Sequence, residues 1–397
     1  MLKSGTYGNT ADLLFKEICL YIDNQYDFLY NLAIDICKIP SMTDNEGQKA
    51  EFVLNKLKEI GAESAYIDEA GNVIYLYDSG ETNPSGTMVN NKPNSKLSIF
   101  AAHIDTVFKN IWDINPTIKE DKIYAPSVLD NSVNVAGLIF CIKILRELNV
   151  SIEKPILFAF DVGEEGLGNL KGIKHITDEW KGSIDEVIAL DLGYKAIVDT
   201  AVGSRRYSVT IETEGGHSWG AFGNDNAILY TAKIVNDIYK IQVPVSPKTT
   251  YNVGIIKGGT SINTIAENAT IEVDLRSIDK TCLEQLYQNF VKIIENYKSD
   301  KVKISVRTLG ERPCGTTPHD SSLIERVINT RDELGLKTEF RASSTDANYP
   351  MSLGIPSISF GIGDGMGVHT QDEYLIAESM KTGMKHLLRF ILKYNEE

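Results

Sequence analysis

Ile156-Leu157-Phe158-Ala159-Phe160-Asp161-Val162-Gly163-Glu164-Glu165-Gly166 is an apolar run that stops abruptly at three acids and two glycines. A short, continuous apolar run is what a strand buried on both faces looks like, and such strands belong to parallel sheets covered by helices. The neighbouring chain agrees. Residues 97–103 and 186–191 are further apolar strand-like runs, and residues 132–148 and 170–176 carry helical spacing between them. Strands alternating with helices predict an α/β layer with a largely parallel sheet. Towards the N-terminus, residues 11–38 show helical spacing (Leu13, Leu14, Ile18, Phe28, Leu32, Ile36) until Ile39-Pro40-Ser41, where proline disfavours helix at the residue before it. A second helix is expected over 44–60, closed by Gly61. Strands follow at 65–68 and 73–77, and then a polar surface loop at 78–96.

The texture changes at Gly203-Ser204-Arg205-Arg206. Strand-like runs at 207–212, 250–256, 269–277 and 302–308, with helical runs at 227–241 and 283–297, spell a βαββαβ unit of the ferredoxin-like kind. After Pro313 the α/β pattern returns, with helices at 322–334 and 378–394 and a strand at 357–361. The expected organisation is a discontinuous α/β domain, residues 1–204 and 312–397, interrupted by an α+β insert at 205–311. A chain of 397 residues is long enough for two cores.

Charge and cysteine usage exclude other classes. A net charge of −14 argues against nucleic acid as a partner. The five cysteines are scattered and form no CxxC pair, so a zinc-finger site and a disulfide framework are not expected. The first ten residues are polar, unlike a signal peptide, and no run of about 20 apolar residues suggests a membrane span. The expected address is a reducing cytoplasm. Gly163, Gly166, Gly168 and Gly172 loosely imitate a phosphate loop, but the spacing matches neither GxGxxG nor GxxxxGK[ST], so nucleotide binding is not expected.

Four apolar strands end in acids or histidines: His103-Ile104-Asp105, Asp161 to Glu165, Asp191, and, beyond 357–361, His369-Thr370. Ligands in open α/β sheets bind beyond the carboxyl ends of the strands, so these clusters are expected to converge. A fifth acid, Asp130, precedes the 132–148 helix, whose first N–H groups are expected to hold it. Taken singly, an HxD or a Glu-Glu pair is usually chance or solvated surface. Acids at buried strand ends are different, because they need a partner or a metal. Residues i and i+2 share one side of a strand, so His103 can ligate while Asp105 orients its imidazole. Adjacent Glu164 and Glu165 diverge, so one can ligate while the other meets a water. Asp130, Glu165 and Asp191 together with one hydroxide neutralise two divalent cations. Nitrogen and oxygen donors without thiolate suit Zn²⁺, with Co²⁺ or Mn²⁺ as substitutes.

With these residues in place, the chain resembles the M20 metallopeptidases, which include peptidase T, dipeptidases, carboxypeptidase G2 and the acetylornithine and succinyl-diaminopimelate deacylases. The resemblance rests on Ile39-Pro40-Ser41, Gly71-Asn72, His103-Ile104-Asp105, Asp130, Glu164-Glu165-Gly166, Asp191, Gly215-Gly216-His217-Ser218, Asn263, Arg276 and His369-Thr370. It implies a zinc-peptidase-like α/β catalytic domain with an inserted ferredoxin-like lid or dimerisation domain. It also implies two zinc ions per chain. His103 and Asp191 would hold one, Glu165 and His369 the other, and Asp130 would bridge them, with Glu164 as general base. His217 would reach across a homodimer to polarise the scissile carbonyl. The sequence departs from the family after Asp130, where Asn131-Ser132-Val133 stands, and at Ser343-Ser344-Thr345-Asp346, which lacks the glycines of the peptidase T run.

In the insert, Arg276 offers a guanidinium fork for a substrate carboxylate, and Asn263 an amide hydrogen bond. Asp346 is expected to pair with a substrate's ammonium. The expected function is hydrolysis of amide bonds in free di- or tripeptides by a metal-bridged hydroxide. An N-acyl amino-acid deacylase and a non-catalytic peptide-binding relative are the alternatives.

Overall fold

The computed structural model describes residues 7–78, 95–109, 111 and 113–396, so most of the expected loop at 78–96 falls outside the described residues. The chain divides into two compact units, Met1–Thr200 with Thr316–Glu397, and Ala201–Gly315.

In the first unit the strands lie side by side in the order Tyr66–Ile67, Val73–Tyr77, Ile156–Asp161, Leu97–His103, Ile184–Ala189, Ser357–Ser359 and Ile197–Ala201, with Phe340–Ser343 against the last. Four of them, Ile156–Asp161, Leu97–His103, Ile184–Ala189 and Ser357–Ser359, run parallel, so their carboxyl ends share one edge. Alternation along these strands serves two cores. Phe100, Phe158 and Phe160 pack with helices Val133–Glu147 and Ser379–Leu392, while Ile99, Ala101, Leu157 and Ala159 pack with Ile173, Ile176 and Trp180. Both faces are therefore covered, which is why the strands read as unbroken apolar runs.

Three details differ from the sequence expectations. The helical stretch at 11–38 is two helices, Tyr7–Asn24 and Tyr26–Cys37, parted at Gln25, which leaves the helical region (φ −106, ψ 17). The Asn24-Gln25 polar pair sits at the break, and asparagine side chains compete for backbone hydrogen bonds. A second small sheet, built from Thr117–Lys119, Lys122–Tyr124, Tyr374–Ile376 and Gly365–Met366, had no sequence signal, because runs of two or three residues are too short to show a period. Finally, Val128–Glu147, a kinked turn at 128–132 followed by helix Val133–Glu147, is long and apolar enough to cross a membrane by length and composition alone, contrary to expectation; 94% of its most apolar window is buried, as in a core helix.

In the second unit four antiparallel strands stand in the order Thr249–Gly258, Asn268–Ser277, Gly203–Glu212, Lys303–Arg312. That is second, third, first, fourth in chain order, the ferredoxin-like arrangement. Helices Ala227–Ile238 and Lys280–Tyr297 cover one face, where Val209, Ile211, Ile271, Val273 and Leu275 meet Ile234, Ile238, Leu286 and Phe290. Each helix opens on a capping side chain: Asn226 accepts from Ile228 N at 2.9 Å and Asp279 from Cys282 N at 2.7 Å. The unit begins four residues before the expected insert and ends four after it.

Candidate metal centre

The shared edge of the four parallel strands gathers the acids and histidines. His103 ends its strand opposite Asp161 in register. Asp105 follows two residues beyond the end of the strand, and its carboxylate and carbonyl both stand beside the His103 ring. His103 Nδ1 stands 3.5 Å from Asp105 Oδ1 and 3.2 Å from Asp105 O. Asp105 also accepts from Glu164 N at 3.0 Å, Glu165 N at 2.9 Å and Thr43 Oγ1 at 2.8 Å. One carboxylate thus orients the histidine and anchors the turn bearing both glutamates.

That turn depends on the glycines that imitate a phosphate loop. A Cβ on Gly172 would stand 2.4 Å from Asn72 Oδ1 and 2.5 Å from Val162 N, so only glycine lets the helix approach the strand end there. Asn72 completes the brace, accepting from Val162 N at 3.0 Å and donating to Asp68 at 2.7 Å. This is what the Gly71-Asn72 pair does in the fold.

Asp130 lies in the non-helical turn Val128–Ser132 (φ −120, ψ 88), ahead of helix Val133–Glu147. The expectation that the helix N-terminus holds its side chain is not met. Instead its backbone N donates to Glu373 Oε1 at 2.9 Å. Asn131 donates to Leu190 O at 2.9 Å and accepts from Asn134 Nδ2 at 2.6 Å. Asn134 accepts in turn from Ile362 N at 2.8 Å. The sequence departure after Asp130 therefore belongs to an asparagine pair that stitches this turn to two neighbouring strand ends.

The candidate ligands lie close together. His103 Nε2 is 3.1 Å from Asp130 Oδ1 and 3.8 Å from Asp191 Oδ1; His369 Nε2 is 3.1 Å from Asp130 Oδ2 and 2.9 Å from Glu165 Oε1. Two overlapping clusters result, His103–Asp130–Asp191 and Asp130–Glu165–His369, with Asp130 in both. Glu164 joins His103 and Glu165 in a third. Burial alone would lower the His103 pKa, but Asp105, Asp130 and Asp191 outweigh it and hold the imidazole well above its usual range. Asp130 and Glu165 push His369 up to about 10. Burial raises the carboxyls of Glu165 and Asp191. Such a cage favours cations strongly. His103 Nε2, Asp130 Oδ1 and Asp191 Oδ1 are buried without a hydrogen-bond partner, so the donor atoms turned towards one another are those a metal would use. The residues fit divalent cations, and the nitrogen and carboxylate donors fit zinc.

Asp346 lies beside Asp161, with Glu164 near. It is 3% exposed, and burial and then Asp161 raise its carboxyl well above the usual range; burial pushes Asp161 up to about 7. Another His–acid group, Asp68–His175–Glu179, has a structural explanation. Asp68 Oδ1 accepts from the N–H groups of Ala70, Gly71 and Asn72, as a turn residue does.

The remaining candidates belong to the second unit. His217 pairs with Thr264 in a two-stranded ribbon, and Ser218 N donates to Asn263 O at 3.0 Å, so His217 and Asn263 are neighbours. His217 Nδ1 accepts from Trp219 N at 3.2 Å and Gly220 N at 3.3 Å. That fixes the tautomer: Nε2 carries the proton and is a donor. Arg276 is placed near the other end of strand Asn268–Ser277, with Nε on Asp274 at 2.6 Å. Sequence reasoning missed Thr43, Asn131, Asn134 and Glu373. Each acts through the backbone or a neighbouring side chain, and no local pattern announces that.

The family profile for peptidase family M20/M25/M40 matches residues 99–393. Among curated relatives, the uncharacterized protein YqjE of Bacillus subtilis is 23% identical, covering 88% of this chain and 94% of its own length. Succinyl-diaminopimelate desuccinylase of Corynebacterium glutamicum is 24% identical over 86% of this chain and 90% of its own. Among solved structures, a tripeptidase from Staphylococcus aureus has the same fold at a TM-score of 0.74 and 21% identity, covering 94% of this chain and 99% of that one.

Proposed function

This chain belongs to peptidase family M20/M25/M40 and is a hydrolase of that type; we propose that it cleaves amide bonds of free di- and tripeptides with two zinc ions per chain. The observation that carries this reading is Asp130, shared between two clusters whose other members are His103 and Asp191 on one side and Glu165 and His369 on the other. Two divalent cations held there would supply Lewis acidity towards the amide carbonyl and lower the pKa of a water. Glu164 takes that water's proton and passes it to the leaving nitrogen. Asp105 keeps His103 oriented and the Glu164–Glu165 turn in place. His217, with its Nε2 proton, hydrogen-bonds the oxyanion as charge develops, and it does so from a second copy of the chain. Arg276 binds the substrate's carboxylate, and Asn263, the neighbour of His217, adds an amide hydrogen bond from the same second copy.

A peptide substrate is favoured by Asp191, since the family resemblance associates aspartate there with aminopeptidases and dipeptidases. The desuccinylase among the relatives favours a second reading, an N-acyl amino-acid deacylase. Metal analysis of the purified protein, followed by a panel of free peptides, N-acetylated peptides and N-acyl amino acids, separates the two. We expect two metals per chain and turnover that is lost on N-acetylation. Faster hydrolysis of N-acetyl or N-succinyl amino acids than of every free peptide would replace the first reading by the second.

A further inference from the structure

Glu373 is an acid inside the first unit, with none of its surface exposed and no part in the reaction proposed above. Its Oε1 accepts from Leu129 N at 2.7 Å and Asp130 N at 2.9 Å, and its Oε2 from Ser127 N at 2.9 Å. Ser127 has a left-handed backbone (φ 65) and Asp130 is non-helical, so this turn cannot satisfy its N–H groups as a helix would. One carboxylate does so in their place. The backbone of Glu373 faces the other way. Its N donates to Thr370 O at 3.4 Å, closing the turn that carries His369, and its O accepts from Ala125 N at 3.1 Å. That loop is wound tightly: a Cβ on Gly367 would stand 3.2 Å from Glu373 Cα, and His369 has a φ of 65. Strand Tyr374–Ile376 then pairs with Lys122–Tyr124, which fixes Glu373 beneath the Asp130 turn.

We propose that Glu373 is a positioning residue that sets the spacing between Asp130 and His369, and through it the affinity of the site for the metal they share. The inference rests on the two-metal reading of the centre. Two ligands on segments far apart in sequence have Oδ2 and Nε2 only 3.1 Å apart, and Glu373 bonds to both segments. Partners behind metal ligands typically change metal affinity by about 10–100-fold.

The test is stepwise Zn²⁺ titration of the metal-free protein against a competing chelator, with the Co²⁺ absorption spectrum as a second readout. Wild-type protein should take up two equivalents. Glu373→Gln keeps the shape but replaces one acceptor oxygen with an NH₂ that cannot accept an N–H. It should weaken one equivalent about 10–100-fold and alter the Co²⁺ spectrum. Glu186→Gln is the control for general damage, since Glu186 accepts from Ser98, Arg326 and Tyr394 in a buried network of its own. It should lower the melting temperature and leave both affinities unchanged. Should Glu373→Gln fail to fold, Glu373→Asp keeps the charge one methylene short and is expected to lose the same equivalent. A Glu373 variant that melts early but binds both metals as tightly as wild type, with an unchanged Co²⁺ spectrum, overturns the inference and leaves the two-metal reading intact. Wild-type protein that binds fewer than two metals overturns the two-metal reading itself.

Discussion

Glu164 and Glu165 are adjacent and equally buried, yet they have different neighbours. Glu165 lies 2.9 Å from His369, whereas Glu164 groups with His103 and Glu165 and is absent from both clusters containing Asp130. The separation follows from Asp105, which binds both backbone N–H groups and so fixes the turn from which the two side chains diverge. Glu164→Gln keeps the volume but cannot take a proton. Metal content should therefore match wild type while kcat falls by roughly 10²–10⁴-fold. Near wild-type turnover, measured on whichever substrate the panel identifies, would remove Glu164 from the base position. HxD and Glu-Glu were legible as candidates because they end buried apolar strands. Thr43, Asn134 and Glu373 were not, because a hydrogen-bond partner 62, 228 or 243 residues away leaves no trace in local spacing.

Among the elements, strand Thr249–Gly258 stands at the edge of the four-stranded sheet in the second unit. It exposes Ile255 (41%) and Ile256 (60%), and the nearby helix exposes Ile228 and Leu229. An uncovered edge with apolar side chains invites another strand, and natural proteins normally blunt such edges. Here a second copy of the chain is the expected cover, which would form an isologous two-fold interface. Light scattering after size exclusion should give a dimer. Ile256→Lys combined with Leu229→Glu should shift it towards monomer. If His217 acts in trans, mixing His217→Ala with Glu164→Gln restores part of the activity. A wild-type monomer at micromolar concentration would end this reading and return His217 to its own chain. The unit's four strands and two helices were legible from alternation and helical spacing. The ferredoxin-like pattern also implies that the second strand lies at an edge; the two-residue ribbon of Gly216–His217 and Thr264–Ile265 was not legible, being too short to show a period.

At the scale of the molecule, the first unit buries polar groups away from its site as well as in it. His386 is fully buried against Phe360, with ring centroids 4.6 Å apart and neither nitrogen hydrogen-bonded. Burial, and then the charge of Arg331, lowers its pKa to about 3. In the unfolded chain the same histidine titrates near 6.5. Between these values the unfolded state binds more protons, so stability is complete above pH 6.5 and is lost as pH falls towards 3. Between pH 7 and pH 5 this one group should remove about 2 kcal/mol. Urea unfolding of the metal-free protein at both values should show that loss, and His386→Leu should show correspondingly less. Equal pH slopes for the two proteins would mean that His386 is already solvated or hydrogen-bonded in the folded state.

The covered parallel sheet, the ferredoxin-like unit and the acids and histidines of the centre follow from the chain read alone. Strands buried on both faces must be apolar, antiparallel strands with one wet face must alternate, and a buried acid at a strand end must have a partner. Those constraints act within ten residues, so they are written locally. The geometry that makes a centre of these residues was decided only in three dimensions. Asp130 is held by Glu373 rather than by the helix that follows it, and Asp105 ties His103 to the turn that bears Glu164 and Glu165. Each depends on which distant backbone or side chain comes within about 3 Å, the range in which a hydrogen bond forms. Local spacing carries no information about that distance.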